Sequence, residues 1–195
     1  MEVNKYLEET EIINYSDKNI QELSNSIRSK SNNEIEYIKN CYEFVRDKIS
    51  HSADILDSKK VTCTASEVLQ YKEGTCFAKA HLLAALLRAK GILTGFIYQK
   101  IILDDKLKPY LVLHGLNSVY IRELNKWIKL DARGNKEGVN AQFSLDDEKL
   151  AFKIRKELGE ELIEEKFSSP SNNVIYALKH NTTREELWVN LPGEV

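Results

Sequence analysis

The chain contains a cysteine, a histidine and an aspartate whose surroundings suit thiol chemistry. Cys76 follows Gly74, which can take a positive φ, and Thr75, whose hydroxyl can cap a helix that begins at the cysteine. Unpaired N–H groups and the positive end of the helix dipole favour a thiolate there, and they point to where an oxyanion can form. A single cysteine at a helix start can also be a small buried apolar residue.

A partner for this thiol can come from His114. This histidine interrupts an extended apolar stretch, where it needs either a polar neighbour or a function. If Ile121 pairs with Lys126, Asp131 lies opposite Leu116 and diagonal to His114, at a backbone separation of about 7 to 8 Å that the side chains can bridge. Each residue also has an ordinary interpretation, His114 as a satisfied core histidine and Asp131 as a strand-end acid.

Together the three residues have the parts that thiol acyl transfer needs. A carboxylate holds the imidazole in one tautomer, the imidazole takes the proton of the thiol, and the thiol attacks an acyl carbon. The sequence must then place all three on well-ordered elements.

The predicted elements give an α+β layout. Apolar residues at three- and four-residue steps predict a helix from Asn33 to Ile49, and a second helix, apolar almost all round, begins at Cys76 and ends at Lys90, before Gly91. A helix with so little polar surface belongs at the centre of a domain. Three strands follow, rich in Ile, Val, Tyr and Trp, over residues 95–103, 111–121 and 126–131, the last two as an antiparallel hairpin.

The two ends of the chain are expected to be helical additions to this core. The polar stretch from Ser24 to Glu34 is the best linker or loop candidate. Ser144 and the acidic residues after it predict the start of a helix, and Ser171 and Thr182 or Thr183 begin two shorter helices. The helix that starts at Ser144 is expected to bury Leu150, Phe152, Ile154, Leu158 and Leu162. We therefore expect an N-terminal arm (1–33), a catalytic core (34–143) and a C-terminal helical region packed on the core (144–195).

Composition excludes several classes of function. The 28 Lys and Arg residues nearly balance 30 Asp and Glu residues in a chain of 195, which argues against nucleic-acid binding and anionic-membrane binding. The longest nearly uncharged stretch, residues 80–87, is far shorter than a membrane-spanning helix, and the amino terminus resembles no secretory signal, so we expect a cytoplasmic protein. Three cysteines without a Cys-x-x-Cys pair predict neither a disulfide framework nor a thiolate zinc site.

Longer segments around these residues resemble a known family. The runs ASEVLQYKEGTC, ending at Cys76, and AHLLAALLRAKGI, starting at Ala80, look like the nucleophile segment of the transglutaminase-like superfamily. His114 and the run WIKLDA, which contains Asp131, are similar to its histidine and aspartate strands in the same order. The resemblance covers roughly residues 35–143. It implies a papain-like thiol fold, a central helix packed on an antiparallel sheet, with Cys76 as nucleophile, His114 as base and Asp131 as the residue that orients it.

Other polar residues have weaker claims. Gln70 could donate a second hydrogen bond to an oxyanion, as a glutamine does in papain-like proteases, or it could lie on a helix surface. His51 could reach the site or simply cap its helix. The remaining candidates are assigned to packing (His81, Cys41 and Cys63) or to solvated surface (Lys126 and Arg133).

Two functions follow from these observations. The first is an enzyme that transfers acyl groups from the amide bonds of a peptide or protein substrate, by hydrolysis or transamidation, without a metal or other cofactor. The second is a non-catalytic protein-interaction module that keeps the fold and binds a partner through its C-terminal region. The sequence leaves the oligomeric state open.

Overall fold

The computed structural model describes residues 3–58, 60–104, 106 and 109–195. Four strands follow one another in the middle of the chain, with most of the helices before and after them, which is an α+β arrangement. The helices are α1 (Lys18–Arg28), α2 (Glu34–Lys48), α3 (Ala65–Tyr71), α4 (Cys76–Arg88), α5 (Asn172–His180) and α6 (Arg184–Val189). The strands are β1 (Ser50–His51), β2 (Glu73–Gly74), β3 (Thr94–Ile101), β4 (Val112–Ile121), β5 (Lys126–Leu130) and β6 (Glu161–Phe167).

The central helix is α4, as the sequence predicts. Thr75 caps it, its hydroxyl accepting a hydrogen bond from the N–H of Ala78 at 3.5 Å. Gly91 takes a φ of +71° just beyond its end. Leu82, Leu83 and the other residues after Cys76 are buried, and the helix packs against α2, α3 and β4. A helix buried all round needs neighbours on every side, and this chain supplies them.

The main sheet is antiparallel, with strand order β5-β4-β3-β6. In the β4–β5 hairpin Ile121 lies opposite Lys126 and Asn117 opposite Leu130, which is the predicted register. A second, parallel pair joins β1 to β2 and places His51 beside Gly74. This pair ties the end of α2 to the segment that leads into α4.

The polar stretch from Ser24 to Glu34 is not a linker throughout. Its first part is the end of α1, which Asp17 caps by accepting from the N–H groups of Asn19 and Ile20. Ser24 is buried and its hydroxyl hydrogen-bonds to that of Tyr37 at 2.9 Å. The polar composition of this stretch does not prevent a helix, because the hydroxyl of the buried Ser24 has a hydrogen-bond partner in Tyr37.

The helix expected after Ser144 is absent. Ser144 does accept a hydrogen bond from the N–H of Asp147 at 3.1 Å, but the chain turns there and continues without regular structure. Leu158 is exposed and Leu162 lies in β6, the strand that adds an edge to the sheet. The C-terminal region is therefore part strand and part helix, and only its two last helices, capped by Ser171 and Thr183, were predicted correctly.

The main hydrophobic core joins the N-terminal region, the central helix and the last two helices. It includes Ile13 and Ile20 from the N-terminal region, Leu83 from α4, and Leu178 and Leu187 from the last two helices. Within the described residues, no helix combines the length and the apolar character needed to cross a bilayer.

Candidate active site

A small cavity lies at the start of α4. Its wall contains Cys76 and His114, together with His51, Phe152 and Leu191, and its volume is about 40 Å³. Most of the lining is apolar. Cys76 is half-buried, so its thiol borders the cavity without being sealed into the core.

His114 and Asp131 form a buried pair beside this thiol. Nε2 of the imidazole donates to Oδ2 of the carboxylate at 2.8 Å, and the two residues are 2% and 1% exposed. This bond leaves Nδ1 as the imidazole atom that can serve Cys76. The contact confirms the diagonal placement predicted from the hairpin register.

Asp131 is held by two further N–H groups. Its Oδ1 accepts from the backbone of Arg133 at 3.2 Å, and its Oδ2 accepts from the backbone of Ala151 at 2.9 Å. Burial alone would raise the pKa of this carboxyl, but the charge of His114 and these hydrogen bonds outweigh burial and lower the pKa below 3.8. The carboxylate therefore stays ionised beside the imidazole.

The imidazole responds in the opposite direction. Burial lowers the pKa of His114, while the charges of Asp131 and Cys76 and hydrogen bonds to both raise it, with a net result of about 10. At neutral pH His114 is therefore a cation, and an imidazolium next to a cysteine at a helix start favours the thiolate.

A close approach between β4 and α4 brings these groups together. A Cβ added at Gly115 would lie 2.7 Å from Cδ1 of Phe77, the residue after Cys76. No larger residue fits beside His114 without displacing that ring, so the glycine lets the strand reach the first turn of the helix. Gly74, in contrast, does not take a positive φ; an added Cβ there would lie 3.1 Å from both Ala78 Cβ and Thr62 Oγ1.

Two sequence interpretations need correction here. Gln70 is exposed in α3 and lines a separate surface groove with Phe44 and Leu69, so it is not positioned to stabilise an oxyanion at Cys76. Arg133 is not solvated: it is 5% exposed, lines the cavity, and forms a two-pronged ion pair with Asp54. Lys126 remains partly exposed, and the packing residues (His81, Cys41 and Cys63) are buried as predicted.

Several residues of the site have no clear signal in the sequence. Phe152 packs edge-on against His114, with ring centroids 4.9 Å apart, and Trp188 and Leu191 close the cavity from the C-terminal region. These residues are far from Cys76 in the sequence, so no local pattern around the cysteine indicates that they belong to the site. Lys79 is different, because a lone lysine inside an apolar helix is itself unusual, and it is completely buried one turn below Cys76.

The arrangement suits nucleophilic chemistry. In the part of the chain that the structure describes, no group of three His, Cys, Asp or Glu side chains is arranged to hold a metal ion. The thiol of Cys76 and the imidazolium of His114 line the cavity at the N-terminus of α4, and the carboxylate of Asp131 hydrogen-bonds to that imidazolium. This is the set of groups that acyl transfer through a thioester uses.

Comparison with known proteins settles the family. The sequence model of the Transglutaminase-like superfamily matches residues 21–132, more than half of the chain, including Cys76, His114 and Asp131. The chain belongs to the transglutaminase-like superfamily. No functionally curated protein matches it significantly.

A solved structure shares the fold of this transglutaminase-like domain. A candidate cysteine protease from Cytophaga hutchinsonii superimposes with a TM-score of 0.54 at 21% identity, over 67% of this chain and 42% of the other. The periplasmic domain of TgpA from Pseudomonas aeruginosa superimposes with a TM-score of 0.46 at 15% identity, over 65% of this chain and 46% of the other. The chain thus aligns with less than half the length of either protein.

Proposed function

We propose that this transglutaminase-like domain is a thiol-dependent acyl-transfer enzyme that acts on amide bonds of a peptide or protein, with Cys76 as nucleophile, His114 as acid and base, and Asp131 as the orienting carboxylate. The observation that carries the proposal is the buried 2.8 Å contact of His114 with Asp131, beside a cavity that both Cys76 and His114 line. A cytoplasmic location also stays a prediction.

Each step uses a group already in place. The Cys76 thiolate bonds to the carbonyl carbon, and the C=O electron pair moves to oxygen. As that pair returns, the C–N bond breaks and the amine leaves with a proton from His114. Water or a second amine then attacks the thioester and gives its proton to His114. The acyl product departs and the thiolate is restored.

Acylation of the purified protein tests the proposal. We expect a single-turnover release of p-nitrophenol from p-nitrophenyl acetate, with the acetyl group recovered on Cys76 by peptide mapping. Cys76→Ala should abolish the release, whereas Cys63→Ala, which removes a buried cysteine outside the cavity, should not. A glutamine peptide offered with and without hydroxylamine then distinguishes transamidation from hydrolysis. Absence of an adduct on Cys76 would contradict the proposal and favour the protein-interaction module.

A further inference from the structure

His51 lies in the candidate active site, beyond the C-terminal end of α2 at Lys48. Its strand β1 pairs with β2 so that His51 stands beside Gly74, two residues before the nucleophile. The side chain is 8% exposed and lines the same cavity as Cys76 and His114. This buried histidine therefore borders the same space as the thiol of Cys76 and the imidazole of His114.

The hydrogen bonds of His51 identify which ring atom is available. Its Nδ1 accepts the backbone N–H of Ala53 at 3.2 Å, so a neutral ring carries its proton on Nε2. Burial, followed by the positive charges of Arg133 and Lys79, holds the pKa of His51 well below 6.5, against the opposing charge of Asp54; His114 adds to the lowering. The ring is therefore neutral at neutral pH and acts through Nε2 as a donor.

The proposed reaction needs such a donor. Attack by Cys76 places negative charge on the carbonyl oxygen, and the backbone N–H at the start of α4 supplies one hydrogen bond. Two other side-chain donors of the cavity wall already have partners: Nε2 of His114 donates to Asp131, and the guanidinium of Arg133 donates to Asp54. Gln70, the glutamine that the sequence offered for this role, lines another groove.

We propose that His51 is a catalytic residue whose Nε2–H, together with the backbone N–H of Cys76, binds the oxyanion formed when the thiolate attacks an amide carbonyl. The inference depends on the proposed function. While the C–S bond forms, the electron pair on oxygen is held by these two donors. When the pair returns and the C–N bond breaks, the donors release it.

Two reactions of Cys76 separate this role from the role of His114. Acylation by p-nitrophenyl acetate passes through an oxyanion, whereas alkylation by iodoacetamide displaces iodide and does not. We expect His51→Ala to slow single-turnover acylation by about 10²- to 10³-fold and to leave the alkylation rate and its pH profile unchanged. His51→Gln, which restores an N–H donor, should recover part of the loss.

Controls keep the result interpretable. His81→Gln replaces another buried histidine, one that hydrogen-bonds to the carbonyl of Cys63 outside the cavity, and should acylate normally per folded molecule. If His51→Ala does not fold, the comparison is made with His51→Gln and His51→Phe. Acylation at the wild-type rate in the variants would overturn the inference, as would an equal loss of acylation and alkylation. If Trp188→Phe instead lost acylation, the donor would be the indole. A wild-type protein that does not acylate would overturn the proposed function itself.

Discussion

The carboxylate of Asp131 is almost fully enclosed, yet three N–H groups donate to it, from His114, Arg133 and Ala151. A buried charge left without such partners costs several kcal/mol. The same three bonds fix where the carboxylate oxygens lie, and therefore which nitrogen of the imidazole faces Cys76. Stability and orientation depend here on the same atoms.

Replacing Asp131 with Asn keeps the shape of the side chain but changes how it orients the imidazole of His114. An amide has one oxygen and one NH₂ group, so it can present a donor to Nε2 and favour the wrong tautomer of His114. We expect the variant to fold, with reduced stability, and to acylate roughly 10²- to 10⁴-fold more slowly. Single-turnover release of p-nitrophenol measures this. Asp146→Asn, at an exposed acid, is the control, and wild-type acylation by Asp131→Asn would leave the carboxylate with a structural role only.

Alkylation rates report the state of the thiol without a substrate. Burial raises the pKa of Cys41 to about 12 and that of Cys63 to about 11, whereas Cys76 borders a cavity beside a cationic His114. Iodoacetamide at mildly acidic pH should therefore modify Cys76 well before the other two cysteines. His114→Ala should abolish this reactivity in mild acid. Peptide mapping against pH measures both proteins, and identical profiles would mean that no thiolate–imidazolium pair forms.

At the scale of elements, the site is where α4 meets β4 and the β1–β2 pair. Lys79 ties α4 to the end of α2 and the start of β1, since its Nζ donates to the backbone carbonyls of Ile49, just before β1, and of Arg46, the latter at 3.3 Å. Burial, with the charge of Arg133, lowers the pKa of Lys79 to about 7 even though nearby carboxylates act in the opposite direction. At neutral pH the amine is therefore only partly protonated, and its uncharged form still has two N–H groups for the two carbonyls.

This shift makes stability depend on pH. Between about pH 7 and 10.5 the unfolded lysine binds a proton that the folded Lys79 does not, so the unfolding free energy rises with pH in that interval. Lys79→Met should remove a rise of roughly 2 to 4 kcal/mol, measured by urea unfolding at several pH values. Lys48→Met, at an exposed lysine near the end of α2, should keep it. A slope unchanged by Lys79→Met would show that the buried lysine keeps its proton.

The elements differ in how far the sequence predicts them. The β4–β5 register was predictable because a short loop leaves few alternatives and a slip by one residue would reverse every side chain. The helix predicted after Ser144 is wrong because an N-cap residue alone does not make a helix. Leu150, Phe152 and Ile154 recur at two-residue steps, which are typical of extended chain. Long-range contacts that no local pattern encodes hold that segment, among them the bonds from Ala151 to Asp131 and from Gln99 to the carbonyl of Phe152.

In the whole molecule, the cavity is formed by segments that lie far apart in the sequence. Cys76 comes from the central helix and His114 from the sheet, while Leu191 arrives from beyond α6. The backbone carbonyl of Pro192 accepts a hydrogen bond from the N–H of Leu113 at 2.7 Å, which holds this C-terminal segment against the residue next to His114. Access to the thiol is therefore limited by a segment far from it in sequence.

A wider cavity opening should make the thiol of Cys76 more accessible to bulky reagents. Leu191→Ala removes part of a cavity wall that encloses only about 40 Å³, so a bulky thiol reagent such as N-phenylmaleimide should reach Cys76 faster. Iodoacetamide, which is smaller, should gain less, and the ratio of the two rates is the measurement. Val189→Ala trims a neighbouring side chain that is 72% exposed and lies outside the cavity, so the ratio should stay at its wild-type value. If both variants gave that value, Leu191 would not limit access. If Leu191→Ala accelerated both reagents equally, the change would reflect a more reactive thiol instead of a wider opening.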